Sequence, residues 1–163
     1  MNGIKAVQIV TEDEDISLTE RYTRVQRYVK QHPDEECIFL SVHGNASGMG
    51  DWMNARGWCA YTTKGQNESD RLAECLYDAA QVAYKDLAVR TNMADGDRDW
   101  EANFSVIYGV DHAKDQAVRI PAVLIEHFFY DNQQDCKLML SDEGQERMAM
   151  VDVEGIMRYF NNI

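Results

Sequence analysis

Residues 122–130 (AVLIEHFFY) are the most apolar run in the chain, and a carboxylate, Glu126, sits in the middle of it. A run of this kind suits a strand covered on both faces, as in sheets layered with helices. Enclosed there, a carboxylate loses its water. Its charged form is disfavoured, and its pKa rises toward the range useful for a general acid or base. From the residues alone, Glu126 is either a site residue or a structural carboxylate with a buried partner. His127, one position on, points to the opposite face of the strand and does not join it.

The rest of the chain alternates strand and helix patterns. Residues 37–42 (CIFLSV) read as a second strand covered on both faces, running into the small-residue loop His43-Gly44-Asn45-Ala46-Ser47-Gly48. Residues 4–10 (IKAVQIV) read as a short strand. Ser17-Leu18-Thr19-Glu20 is a capping box, and Leu18, Tyr22, Val25 and Val29 follow at helical spacing until Pro33. Residues 57–63 alternate like a strand. Asn67 caps a helix with Leu72, Cys75, Leu76, Ala79 and Val82 inward. Residues 92–103 read as a polar surface excursion, residues 104–110 as a strand, and helices follow Asp131 and Ser141. The order predicts an α/β fold: a single domain over residues 1–163, with a mostly parallel twisted sheet flanked by helices. Such sheets bind ligands beyond the carboxyl ends of their strands, which singles out the His43 loop and the end of the Glu126 strand.

Charge and motifs exclude several classes. With 28 acidic against 16 basic residues and a formal charge of −12, the chain lacks the basic surface that nucleic acid requires. Four scattered cysteines with no C-x-x-C pair read as free thiols rather than a disulfide framework. No apolar run approaches a membrane span, and no signal peptide opens the sequence, so the chain is expected to be made in the cytoplasm. There is no G-x-S-x-G, P-loop, H-E-x-x-H or dinucleotide fingerprint, and Asp95-Gly96-Asp97 is sparse for a calcium loop. His43, at the end of a buried strand, is placed either as a metal ligand or as a core histidine held by backbone groups. His32 and His112 read as solvated.

Three segments, in order, resemble the zinc-dependent N-acetylmuramoyl-L-alanine amidases. The first is VTEDEDISLTERYTRVQ, where Val10, Thr11, Asp15, Leu18 and Arg21 fall on that family's V-x-x-T-R-x-x-D-x-x-x-x-L-x-x-R pattern with a small length adjustment. The second is Phe39 to Ala46 (FLSVHGNA), similar to S-I-H-A-N-A. The third is Pro121 to Asn132 (PAVLIEHFFYDN), similar to P-A-V-L-V-E-x-G-F-x-x-N. The resemblance implies one zinc ion and hydrolysis of the amide between N-acetylmuramic acid and L-alanine, with peptidoglycan or a muropeptide as partner. It puts His43 at a zinc-ligand position and Glu126 at the catalytic glutamate, while Asn45 braces the loop or faces substrate. It also implies action on the cell wall after release.

The resemblance begins at what would be the family's second strand. A preceding strand with a G-H-G-G-like loop and a helix bearing a glutamate supply further zinc ligands in the family, so the domain is expected to be N-terminally incomplete relative to it. His127 and Phe128 stand where the family often has a small residue and Gly. An absent interior strand leaves unpaired sheet edges, which invite pairing with another chain and hence a homo-oligomer. The alternative reading is a non-catalytic, amidase-derived domain without metal.

Overall fold

The apolar run becomes the centre of the sheet. In this computed structural model, which describes residues 3–48 and 50–162, β4 (Ala122–Phe129) buries every residue except Glu126, which is half-buried. Strand β1 (Phe39–Asn45) runs parallel to one side of β4, and β2 (Cys59–Thr62) antiparallel to the other. The two-residue β3 (Trp100–Glu101) continues outward, parallel to β2, for the order β1-β4-β2-β3. Two of the three pairings are therefore parallel, in a mixed sheet.

Alternation along β4 splits the core in two. Val123 and Ile125 pack with α2 (Glu68–Ala83) and α5 (Asp142–Asn161) around Leu72, Leu76 and Val151. Ala122 and Leu124 face the other way, onto Val25 and Val29 of α1 (Leu18–Gln31) and Ile107 and Val110 of α3 (Ser105–Asp111). A period of two on a strand with both faces covered leads to this arrangement. Gly155 sets how closely α5 approaches α2, because a Cβ there would stand 2.8 Å from the Leu76 Cα. The short α4 (Gln133–Met139) follows β4 directly, its amides capped by Asn132. Ser17 caps α1 by accepting from the Glu20 amide, but Glu20 does not reach back; its carboxylate holds Arg24 at 2.9 Å instead.

Four expectations are corrected. Residues 4–10 form no strand: extended backbone needs a ladder partner for its N–H and C=O groups, and none among the described residues pairs with it. Residues 104–110 are helical rather than extended. Val106, Ile107 and Val110 fall on one face of a turn, an ambiguity inherent in short β-branched runs. Strand β1, at the edge of the sheet, is not covered on both faces: only Ser41 is buried, and Val42 is 55% exposed. Val82, predicted inward, is 70% exposed at the far end of α2.

Strand β4 does not finish regularly. Between His43 and Asn45 β1 advances two residues while β4 advances three, a bulge whose extra residue, Phe128, has φ 66°. The left-handed region costs a non-glycine residue about 1–2 kcal/mol. The Phe128 ring stays because it is 1% exposed and packs edge-on to Tyr84, with centroids 4.9 Å apart. Emptying such a site costs about 3–5 kcal/mol. Phe128→Gly is therefore expected to destabilise the protein by about 2 kcal/mol or more in urea unfolding, despite the relieved backbone. An unchanged or raised midpoint would mean that the ring contributes less than the strain.

Candidate active site

Glu126 lies level with two residues on its neighbouring strands: His43 on β1 in parallel register, and Cys59 on β2 in antiparallel register. Directly paired residues share a face of the sheet, so the three side chains project to one side. Burial pushes the Glu126 carboxyl up to about 7, and its Oε2 is buried without a hydrogen-bond partner. A carboxyl of this kind exchanges its proton near neutrality, as a general base or acid must.

The neighbours are poised differently. His43 is half-buried, with its Nε2 2.9 Å from the Ser41 hydroxyl. Burial, and then the positive charge of Arg21, lower its pKa, so the imidazole stands neutral at pH 7. The Cys59 thiol is pushed by burial up to about 11 and stays protonated. A protonated thiol is a poor nucleophile at neutral pH. Burial likewise raises the Tyr61 hydroxyl to about 12. Asn45 braces the turn after β1: its side-chain oxygen accepts from the Ala46 amide at 2.8 Å, and its amide nitrogen stands 4.0 Å from the Cys59 sulfur. The same loop is tied to the end of β4 by Asp131, which accepts from the Ser47 and Gly48 amides at 2.7 and 2.8 Å.

Sequence reasoning placed Glu126, His43 and Asn45 at one end of the sheet, and the fold brings them together. It missed Ser41, Cys59 and Tyr61. The alternation in residues 57–63 puts Cys59 and Tyr61 on one face, but nothing local says that β2 lies beside β4. His127 is on the opposite face as expected, 3.1 Å from the Asp152 carboxylate and 3.4 Å from the Tyr84 hydroxyl. His32 and His112 are held locally, by the Tyr28 carbonyl and the Asp111 carboxylate.

A catalytic zinc takes three protein ligands, drawn mainly from His, Cys and carboxylates. Among the described residues, no three such groups gather around His43; the three that do converge are Asp70, Asp97 and Asp99, away from it. The residues present therefore do not complete a zinc site at His43.

The family described as N-acetylmuramoyl-L-alanine amidase matches residues 1–158. The chain belongs to the N-acetylmuramoyl-L-alanine amidase family. It is accordingly a peptidoglycan amidase, from a family in which zinc is typical. The fold agrees with solved amidases. An N-acetylmuramoyl-L-alanine amidase from Clostridium difficile 630 superposes with a TM-score of 0.71 at 22% identity, over 98% of this chain and 75% of that one. The catalytic domain of CwlV from Bacillus (Paenibacillus) polymyxa var. colistinus gives 0.67 at 22%, over 96% and 73%. The CwlD amidase of Clostridioides difficile, solved in complex with the GerS lipoprotein, gives 0.63 at 20%, over 99% and 75%. No curated protein matches the chain significantly. Among the described residues, no helix of the amidase is long and apolar enough to cross a membrane.

Proposed function

We propose that Glu126 carries the proton in hydrolysis of the amide joining N-acetylmuramic acid to L-alanine, in peptidoglycan or a muropeptide. The observation behind this is the half-buried carboxyl, raised to about 7, with its Oε2 unpartnered. As a carboxylate it takes a proton from the attacking water; as the acid it returns that proton to the alanine nitrogen as the C–N bond breaks. Asn45 holds the loop that borders the substrate. His43 would offer one ligand to a zinc ion, and among the described residues no two further ligands gather beside it.

A groove of about 1000 Å³ beside the outer edge of β1, lined by Ile4, Val7, Val25, Phe39, Leu40 and His43 among others, is where an added strand would lie. Its free backbone edge favours pairing with a second chain, another copy included. One structural relative is itself solved in complex with a lipoprotein. The chain is made in the cytoplasm and acts on the wall after release. The incomplete donor set at His43 favours a second reading, in which this chain alone binds muropeptide without cutting it.

Purified protein, with and without added zinc, is to be incubated with muropeptides, and the products analysed by mass spectrometry for new L-alanine amino termini. Release of lactyl-linked sugar and alanine-terminated peptide supports the proposal. Binding without cleavage in either condition supports the second reading. Size-exclusion chromatography of the same sample tests the edge: a stable monomer counts against self-assembly.

A further inference from the structure

We propose that Asp70, Asp97 and Asp99 form a binding site for a hard divalent cation, calcium foremost, which fastens the loop before β3 to the start of α2. The inference does not depend on the role of Glu126. One carboxylate oxygen from each residue lies within 4.8 Å of the others. Calcium–oxygen distances of about 2.3–2.6 Å place ligands on opposite sides of one ion about 4.6–5.2 Å apart, so a single ion can reach all three. An all-oxygen donor set suits calcium or magnesium and is a poor match for zinc.

Two buried oxygens point to a ligand independently of the cluster. Asp99 is fully buried; its Oδ2 accepts from the Thr62 hydroxyl, while its Oδ1 has no partner. Asp97 accepts from the Gln66 amide at 2.6 Å through Oδ2, and its own Oδ1 is likewise buried and unpartnered. A buried carboxylate oxygen without a donor is costly, and two of them beside a third carboxylate repel one another. Arg98, the cation between the two aspartates, does not relieve this. Its guanidinium turns away to the carboxylates of Glu74 and Asp78, each at 2.7 Å. Asp70 is fixed from the other side as the third residue of α2, in a capping box with Asn67.

The sequence showed only part of this site. Asp95-Gly96-Asp97 lacks a calcium-loop glutamate, and the third carboxylate comes from a helix 27 residues earlier (97 minus 70). An ion there would order the segment that carries β3, whose Trp100 pairs with Tyr61 beside the candidate active site.

The test uses the full chain stripped of metal with EDTA and dialysed. Terbium, excited through the adjacent Trp100, is expected to give saturable emission at one ion per chain, displaced by calcium. Calcium at about a hundred times its Kd is expected to raise Tm by about 5–10 °C. Asp97→Asn, at a partly exposed position, and Asp99→Asn are each expected to lose both responses. If Asp99→Asn does not fold, the wild-type terbium titration and Asp97→Asn still decide. No saturable emission together with no Tm change from calcium or magnesium would overturn the proposal. So would responses that persist undiminished in Asp97→Asn, or a Tm that follows pH while ignoring cations, which would mean that the two free oxygens share a proton.

Discussion

Glu126→Gln is expected to lower muropeptide hydrolysis by about 10²–10⁴-fold, the usual contribution of a positioned proton carrier. The same substitution should remove a pH dependence from stability. Glu126 ionises at about 7 in the folded protein, against an ordinary 4.5, because burial disfavours its charge. The folded state therefore holds the proton more tightly than the unfolded chain. Its contribution is fully present below pH 4.5 and is lost as pH rises through 7. At full effect the loss is about 3 kcal/mol. Urea unfolding of the wild type at pH 5 and pH 8 should show this fall, and Glu126→Gln should show a smaller one. Asp99, also raised by burial to about 7, titrates in both proteins and cancels from the comparison. Equal pH slopes in the two proteins would mean that Glu126 is solvated. Retained hydrolysis would mean that another group moves the proton.

Asp135→Ala is expected to cost about 2–5 kcal/mol, because it leaves two buried N–H groups without an acceptor at about 1–3 kcal/mol each. Against a total stability of about 5–15 kcal/mol for a domain, that is a large share. The Asp135 side chain is 1% exposed, and its Oδ2 accepts from the amides of Gly57 at 2.7 Å and Phe129 at 3.2 Å. Arg56 approaches its other oxygen to 3.5 Å. The residue thus joins the turn entering β2 to the end of β4, just past the bulge that follows Glu126. Gly57 must itself be glycine: its φ is 107°, and a Cβ there would stand 2.6 Å from the Ala88 carbonyl. With alanine at 135, two buried N–H groups lose their acceptor. Denaturant unfolding of Asp135→Ala beside Asp135→Asn checks this, with Asn expected in between because it keeps one acceptor oxygen. A loss below about 1 kcal/mol, typical of a single hydrogen bond, would show that water replaces the carboxylate.

Local signals in the sequence determined a good part of the architecture. An apolar run too continuous for a one-sided strand fixed β4 as the centre of the sheet, and the end caps at Ser17, Asn67 and Ser141 marked where three helices start. The embedded charge of Glu126, and the motifs around it and His43, were enough to point to one end of the sheet. Where neighbouring chain decides the outcome, local signals ran out. Residues 4–10 carry a strand's composition but have no ladder to join, and residues 104–110 satisfy two periodicities until α1 presents a surface for one of them.

Only the tertiary structure decided which residues stand beside Glu126, because the pairing of β2 with β4 is a contact across more than sixty residues (126 minus 59 is 67) with no local signature. The same holds for Asp70 with Asp97 and Asp99, and for Asp135 with Gly57. Periodicity reports which way a side chain faces, whereas the partner it meets there depends on how distant elements pack.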